Sequence, residues 1–519
     1  MFFTKRKGSL CITISLLILF FLYLIILSHK INLVTADLGR HIVNGQYFFI
    51  DKKVLNQNFY SYTNSDFSTI NHHWAVGVLF YIVYQFAGFT GLQLLFISTS
   101  LLTYFIFLFL AKGKNNWLPL LPFALFSLPL LAERTEIRPE IFSNLFAGLV
   151  FLLLFLYREN KLSFRWLIFI PLIEILWVNM HIYFFLGPLL IGCFFLESLI
   201  RKNKDSLILL ILFTVTCLST ILNPFGLTGS LAPINEFKNY GYLLFENQSV
   251  SYIESYFSRS MYYIFKTVLG LLAISFIFVI TIEPKKFSIS HLLIGLFVSY
   301  MAWTMIRNQT LFALFSLPLI FYNFESIKQK LSHLALFVNK KPVTLSLSKS
   351  LEQIILITIS LLFLAYYLLG NRFQQFPYWR EFGFGLETES NASANFFIDN
   401  QLEGPIYNNY DNGGYLIFHL FPKEKVYVDN RPEAYPSSFF TDEYIPSQEK
   451  EGLWQKFDDK YHFNTIFFSY SDLTPWGQNF IKNRFRDPEW ATVFIDKYNV
   501  ILLRQNAKNQ SIISQFKKS

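Results

Sequence analysis

The amino-acid sequence predicts a multi-pass α-helical membrane protein with about 11 transmembrane helices and a small C-terminal extracytoplasmic α/β domain. Of the 519 residues, 53% are hydrophobic and only 15% are charged, whereas soluble domains carry about 25% charged residues. Apolar runs long enough to cross a bilayer recur as far as residue 369. After residue 370 the chain is richer in Asp, Asn and Pro, and short apolar runs alternate with turns. These observations separate a membrane part from a C-terminal globular part.

A transmembrane helix needs about 20 apolar residues, or ~15 if its ends snorkel. The first apolar run is expected to remain as a span, because no small-residue cleavage site follows it. Cys11, Cys193 and Cys217 lie in apolar stretches and show no disulfide or zinc pattern. The candidate spans are residues 10–27, 91–111, 117–131, 141–157, 166–180, 182–200, 206–222, 262–282, 289–306, 310–323 and 351–369.

The short apolar run at residues 74–86 decides the topology. If it does not cross, every basic connector falls on the cytoplasmic side with the N-terminal lysines, as the positive-inside rule requires. If it crosses, all of these connectors fall outside. We therefore expect residues 74–86 to lie along the outer interface, and the protein to sit in the cell (plasma or inner) membrane with its N-terminus cytoplasmic. The net charge of +9 resides largely in these connectors, so we expect no nucleic-acid partner.

The domain boundaries follow from this division. We expect residues 1–325 to form a transmembrane region, 326–369 a basic cytoplasmic loop with the last span, and 370–519 the extracytoplasmic domain. In the last part, strands are predicted at 405–408, 425–429, 464–469, 491–496 and 499–504, the final two as a hairpin. Helices are predicted at 393–400, 414–421 and 475–485.

The polar stretch 36–74 carries the first candidate catalytic residue. Asp37 follows the first span, and Arg40 and His41 come three and four residues later, on one face if the stretch is helical. As a general base, Asp37 would accept the proton of an attacking hydroxyl or amine; the alternative is a solvated interfacial carboxylate. Arg40, His41 and His73 are candidate substrate-binding residues. His72 and His73 give only a weak metal signal, because adjacent side chains point apart.

A second polar loop, ERTEIRPE at residues 133–140, combines both charges. Arg134 or Arg138 would bind a phosphate, and Glu133 or Glu140 would share the base role or bind a cation. The alternative is a turn whose charges pair with each other.

Other polar residues lie at the same predicted boundary or beyond it. Asn179, His181 and Arg307 are candidates for binding a phosphate or a sugar; a structural histidine and a snorkelling arginine are the alternatives. In VDNRPEAY, Asp429 and Arg431 follow a predicted strand, where open sheets bind ligands, or they form a pair that fixes the loop. Glu174, inside an apolar segment, is either functional or protonated between helices.

With the loops assigned, the layout resembles the GT-C superfamily of membrane glycosyltransferases, so the expected membrane fold is GT-C-like. The resemblance rests on a first span ending in Asp37, a long first outer loop, an interfacial helix ending near residues 86–88 and an acidic second outer loop. The resemblance covers roughly residues 1–325. Within the superfamily, the layout is similar to the bacterial aminoarabinose transferase and protein O-mannosyltransferase branches, and to uncharacterised bacterial relatives. The sequence lacks a WWDYG-type motif, which argues against an oligosaccharyltransferase.

The resemblance implies an inverting glycosyltransferase that moves a sugar from a polyprenyl-phosphate carrier to an extracytoplasmic lipid, glycan or protein. The expected partners are that donor, the lipid bilayer and an acceptor that the sequence does not identify. The cofactor is unknown: Mg²⁺ or Mn²⁺ is compatible with the resemblance, and the sequence requires neither. The rival hypotheses are a transporter or flippase of lipid-linked saccharides, a non-catalytic assembly or sensor protein, and a phosphotransferase or ligase that uses the same carriers.

Overall fold

The computed structural model describes residues 16–34, 36–111, 120–235, 240–256, 260–337, 381–469 and 474–516, together with Thr358 and Asp472. The predicted last span at 351–369, apart from Thr358, and the basic loop beyond residue 337 lie outside these residues. Fourteen helices make up the described N-terminal part. They are α1 (Leu16–Leu27), α2 (Leu38–Asp51), α3 (Trp74–Ala111), α4 (Leu120–Ala132), α5 (Glu140–Arg158), α6 (Phe169–Met180), α7 (Leu186–Ile200), α8 (Ser206–Ser219), α9 (Gly226–Ser230), α10 (Ala232–Asn235), α11 (Val250–Tyr256), α12 (Ser260–Ile282), α13 (Ile289–Thr304) and α14 (Gln309–Phe337).

Long apolar helices dominate this part. Within the described residues, five helical stretches are long and apolar enough to cross a membrane, and four further apolar helices are shorter. The five stretches are Trp74–Ala111, Glu140–Arg158, Ile182–Ile200, Met261–Ile282 and Ile306–Ile327. Large apolar side chains such as Leu176 and Ile277 remain more than half exposed, as expected for surfaces that face lipid. A mostly helical architecture with several candidate membrane spans is therefore confirmed, while the number of about 11 crossings stays a prediction.

Helix α3 contains a break at Gly88. This residue has φ 58° and ψ −155°, a conformation that favours glycine because it has no Cβ. The neighbouring Phe86 is 87% exposed. The break divides a short segment beginning at Trp74 from a longer one ending at Ala111, at the position where the sequence predicts the end of the interfacial helix.

Several basic connectors of the bundle meet at the carboxylate of Glu197 in α7. This carboxylate accepts hydrogen bonds from the backbone N–H groups of Ile289 and Ser290 (3.2 and 3.1 Å), and so caps the first turn of α13. Arg158 of α5 and Arg201 lie 3.8 and 3.1 Å from the same carboxylate. The connectors after α5, after α7 and before α13 are thus brought together, which is compatible with the prediction that they share one side of the membrane. The side of the membrane on which they lie stays a prediction.

The C-terminal α/β region contains a four-stranded sheet in the order β1 (Ile406–Asn408), β2 (Thr465–Ser469), β4 (Asn499–Arg504), β3 (Trp490–Ile495). Strands β1 and β2 are parallel, and β3 and β4 form the predicted antiparallel hairpin, with an irregularity between Thr492 and Phe494. The helices of this region are α15 (Ala392–Asp399), α16 (Gly413–Leu420), α17 (Ile445–Glu449), α18 (Glu451–Tyr461), α19 (Pro475–Arg486) and α20 (Gln510–Phe516).

The strand predicted at residues 425–429 is wrong. Its backbone groups are satisfied by other partners: Asn408 donates from its side-chain amide to the carbonyl of Val428 (2.7 Å) and accepts from the N–H of Tyr427 (2.9 Å). Val426 forms only an isolated bridge with Ser61 in the first polar stretch. The extended sequence was recognised correctly, but it joins two parts of the chain rather than extending the sheet.

Helix α2 lies between the membrane part and the C-terminal region, and two glycine contacts fix it there. A Cβ on Gly45 would lie 2.1 Å from the carbonyl oxygen of Gly77 in α3, so the two backbones cross in direct contact. On another side, a Cβ on Gly39 would lie 2.7 Å from the Cβ of Phe418 in α16. The first half of the stretch predicted as a loop is thus a helix packed on two neighbours.

Candidate active site

Asp37 precedes the first residue of α2 and contacts the C-terminal region. Its carboxylate accepts a hydrogen bond from the side-chain amide of Asn430 and lies 3.9 Å from a guanidinium nitrogen of Arg40. Arg40 Nε in turn donates to Asn430 Oδ1 at 3.2 Å. Helical spacing therefore brings Asp37 and Arg40 together as predicted, and Asn430 joins both to the 429–431 turn.

The surroundings of Asp37 favour its protonated form. Desolvation by the surrounding protein raises the pKa of this carboxyl above its ordinary value, although a quarter of the side chain stays exposed. The positive charges of Arg138 and Arg40 oppose this rise, and the negative charge of Glu246 adds to it. A carboxylate with a raised pKa is a better proton acceptor, which is the property that a general base needs.

Three histidines from separate parts of the chain form a row that begins with His41 in α2. The ring of His41 lies 5.4 Å from that of His73, which lies 5.2 Å from that of His181. Burial, then Arg40, lowers the pKa of His41 well below its ordinary value, and burial likewise lowers the pKa of His73. These two rings are therefore neutral and can exchange hydrogen bonds with a neutral or anionic ligand.

His181 is oriented by hydrogen bonds from behind. Trp177 Nε1 donates to Ser143 Oγ at 2.7 Å, and Ser143 Oγ lies 2.8 Å from His181 Nδ1. The backbone N–H of Tyr183 also donates to Nδ1, at 3.3 Å. Because Nδ1 acts as an acceptor in this arrangement, the proton of the neutral ring resides on Nε2. His181 thus presents an N–H donor.

Arg134 and Arg138 of the ERTEIRPE loop converge on a glutamate far away in the sequence. Arg134 Nη1 lies 2.8 Å and Arg138 Nη1 3.0 Å from Glu246 Oε2. The remaining nitrogens bind acids of their own loop: Arg134 Nε and Nη2 donate to both oxygens of Glu140 (2.7 and 2.9 Å), and Arg138 Nε donates to Glu136 at 2.9 Å. Both the charge-balanced turn and a cluster of cations are therefore present.

Arg307 approaches the same carboxylate from the beginning of α14. Its Nη1 lies 3.9 Å from Glu246 Oε1 and donates to Asn247 Oδ1 at 2.9 Å. Its Nε donates to the hydroxyl of Tyr183 at 2.8 Å, and the Tyr183 ring lies 4.8 Å from that of His181. Burial opposes ionisation of Glu246, but Arg138, Arg134 and Arg307 outweigh it and hold the pKa of this carboxyl far below its ordinary value. The arginine cluster and the histidine row are thus in continuous contact.

The remaining predicted residues have structural contacts. Asn179 accepts from Trp74 Nε1 (2.9 Å) and donates to the carbonyls of Ile175 and Leu222. Arg431 Nε and Nη2 each donate to the buried Asp429 carboxylate at 2.7 Å, so this pair fits the loop-fixing alternative. Glu133 is exposed after the end of α4.

Two residues of the site escaped the sequence analysis as functional positions. Glu246 is a lone acid in a polar segment and has no motif around it. Asn430 stands between the two predicted residues of the 429–431 turn, yet it is the one that contacts Asp37. No local pattern distinguishes Asn430 from its neighbours, because residues 426–429 are all buried and show no alternation.

Metal binding finds no ready ligand set in the part of the chain that the structure describes. No group of three or more His, Cys, Asp or Glu side chains there is arranged to hold a metal ion. The histidine row offers ring contacts rather than nitrogens converging on one point.

Comparison with known proteins identifies the architecture. No family model and no curated protein matches the sequence. Among solved structures, the archaeal oligosaccharyltransferase AglB from Archaeoglobus fulgidus, in complex with an inhibitory peptide and a dolichol-phosphate, is similar with a TM-score of 0.59 at 12% identity, over 96% of this chain and 74% of that chain. The same organism's oligosaccharyltransferase, tethered to an acceptor peptide containing the NVT sequon, gives a TM-score of 0.58 at 12% identity, over 98% and 75% of the two chains.

The chain therefore has a GT-C-like fold, as the sequence layout led us to expect. At 12% identity this likeness concerns the fold alone. ArnT from Cupriavidus metallidurans, bound to undecaprenyl phosphate, aligns over 96% of this chain and 98% of that chain with 12% identity and a TM-score of 0.43, a likeness too weak to support an inference.

Proposed function

We propose that this protein is an inverting glycosyltransferase that transfers a sugar from a polyprenyl-phosphate carrier to an extracytoplasmic acceptor. The observation that carries the proposal is that a carboxylate and a cluster of arginines lie near each other in a GT-C-like fold. The carboxylate is Asp37, whose pKa is raised by burial and lowered in part by the charge of Arg138. Arg138 belongs to a cluster of three arginines. Such a transfer needs a proton acceptor and a cationic site for the departing phosphate.

In the proposed reaction, Asp37 takes the proton from a hydroxyl or amine of the acceptor. The acceptor atom attacks the anomeric carbon from the side opposite the phosphate, and a new bond forms there with inversion. The bond between the anomeric carbon and the phosphate oxygen breaks, and its electron pair leaves on the polyprenyl phosphate. Arg134, Arg138 and Arg307 stabilise that negative charge, and His181 donates a hydrogen bond from Nε2.

The direct test measures release of undecaprenyl phosphate by the purified full chain in lipid nanodiscs. The donors are undecaprenyl-phosphate-linked hexoses and pentoses, supplied with envelope extract as the source of acceptor and followed by mass spectrometry. Asp37→Asn should lower the rate about 10²–10⁴-fold, the usual contribution of a general base. Asp66→Asn is the matched control, because Asp66 is an exposed acid of the same polar stretch. Undiminished transfer by Asp37→Asn would rule out the base role.

Glu174 is the one feature that favours the transporter alternative. It is fully buried in α6, and neither carboxylate oxygen has a hydrogen-bond partner among the described residues. Carboxylic acids inside membrane segments often belong to transport pathways. If the protein is a transferase, Glu174→Gln keeps sugar transfer and proteoliposomes show no movement of lipid-linked saccharide. Transport that is lost in Glu174→Gln would instead support the transporter.

A further inference from the structure

Glu246 occupies the centre of the arginine cluster. It lies in a single 3-10 turn, Phe245–Asn247, between α10 and α11. Its Oε2 contacts Nη1 of Arg134 and of Arg138, and its Oε1 faces Nη1 of Arg307. The three arginines come from two separate segments of the membrane part, and Glu246 is the acid that they share.

Each of the three arginines also contacts a group other than Glu246. Arg134 is held through Nε and Nη2 by Glu140, and Arg138 through Nε by Glu136. Arg307 Nε donates to the hydroxyl of Tyr183, and its Nη1 donates to Asn247 at 2.9 Å and lies 3.9 Å from Glu246. Each guanidinium is thus held along its Nε edge, and Nη1 of Arg134 and of Arg138 meet at Glu246 Oε2.

Oxygen geometry and charge make that point suitable for a phosphate group. A carboxylate and a phosphate offer the same kind of acceptor oxygens to guanidinium groups, and arginine favours both. Arg134, Arg138 and Arg307 are balanced by Glu136, Glu140 and Glu246. Withdrawal of Glu246 removes one negative charge from these arginines, and a phosphodiester, which carries a single negative charge, would replace it.

We propose that Glu246 occupies the phosphate subsite of the substrate carrier and is displaced when a lipid-linked phosphate binds. The inference rests on the proposed function and adds to it a residue that competes with the substrate. The side chain of Glu246 is 29% exposed, so its carboxylate has a path from the cluster to solvent. If Glu246 only stabilises the fold through its ion pairs, the opposite result is expected. Its loss would then destabilise the arginine cluster and weaken phosphate binding.

The test compares phosphate binding by the full chain in nanodiscs, with undecaprenyl phosphate and inorganic phosphate as separate probes. Glu246→Gln should bind at least one probe about tenfold more tightly than the unaltered protein. Glu254→Gln is the matched control: it lies in the same segment and contacts Lys266 at 2.7 Å, away from the cluster. A gain for the lipid alone identifies the headgroup as the ligand, a gain for both shows that phosphate oxygens suffice, and a gain for inorganic phosphate alone indicates a free anion. Weaker or unchanged binding overturns the inference.

A second measurement needs no variant at Glu246. Hydrogen exchange of the peptide containing Phe245–Asn247 should become faster in the unaltered protein when undecaprenyl phosphate is added, and should not change with undecaprenol, which lacks the phosphate. Slower or unchanged exchange in a protein that binds the lipid overturns the inference and leaves the proposed function standing. If neither probe binds to any variant, both fail.

Discussion

Replacement of Asp429 by asparagine separates the two roles considered for the 429–431 turn. Asp429 is fully buried, and Arg431 retains only 9% exposure of its side chain. Two hydrogen bonds of 2.7 Å join them, and Arg431 also donates to Asn58 in the first polar stretch at 2.8 Å. Asp429→Asn keeps the size of the side chain but leaves a buried guanidinium without its counter-charge.

The expected cost follows from this burial. Breaking a buried ion pair by removal of one partner typically costs about 3–5 kcal/mol. For a unit of roughly 150–250 residues, each kcal/mol lowers Tm by about 2–4 °C, so the fall should be roughly 6–20 °C. Replacing both partners, as in Asp429→Leu with Arg431→Met, should recover most of the loss, because no charge is then left unpaired.

The assay is thermal unfolding of the purified full chain, followed by tryptophan fluorescence, with donor binding measured in parallel. Asp442→Asn provides the control, since Asp442 is an exposed acid of the same region. A Tm that falls for Asp429→Asn and recovers in the double variant would support the loop-fixing role. The reasoning is refuted if Asp429→Asn unfolds at the unaltered temperature but no longer binds donor, because the carboxylate would then act on the ligand.

Three further predictions concern Asp37 and the residues that hold it in place. Asn430→Ala should lower kcat/KM by roughly 10–100-fold, because it removes a charge-assisted hydrogen bond to Asp37 of about 1.5–3 kcal/mol. Its Tm should be nearly unchanged, because the position is partly exposed, and a large fall in Tm would contradict this. Activity should fall as pH decreases through the raised pKa of Asp37, since the protonated acid cannot accept a proton. Arg138→Gln should move this acidic limb of the pH profile to higher pH, because the positive charge of Arg138 lowers the pKa of Asp37. A limb that stays in place or moves to lower pH would exclude this coupling. Gly45→Ala should lower stability by about 1–3 kcal/mol or more, measured by thermal unfolding, because its Cβ would lie 2.1 Å from the Gly77 carbonyl oxygen; an unchanged Tm would show that the two helices separate easily.

Hydropathy and charge were sufficient to predict the parts of the fold that burial in lipid determines. The span expected at residues 141–157 is α5, Glu140–Arg158, and the terminal hairpin lies where alternation placed it. The prediction at 310–323 was shorter than α14, which continues through charged residues to Phe337. Composition cannot detect such a continuation, because a helix can extend beyond the bilayer without an apolar face.

The site was predictable where its residues are neighbours in sequence and unpredictable where they meet only in the fold. Asp37 and Arg40 follow from helical spacing, and Arg134 and Glu140 share one short loop. Glu246 joins Arg134 across more than a hundred residues, so no local pattern could pair them. The roles of Asp429 and Asn430 were unpredictable for a similar reason, since the sequence indicates a polar turn but not which of its residues is buried.

The glycine contact between α2 and α3 has a consequence for how substrate preference can change. Gly45 and Gly77 meet through backbone atoms, so the origin of α2, and with it Asp37, is set by the main chain and is insensitive to most side-chain substitutions nearby. On the other side of Asp37, the C-terminal region contacts its carboxylate through the side-chain amide of Asn430, a residue of the 429–431 turn that can be substituted. If Asp37 is the proton acceptor, as proposed, we expect related proteins to diversify their acceptors through the C-terminal region while Asp37 keeps its place. A chimera that carries the C-terminal region of a related protein should then form a different product with Asp37 unchanged.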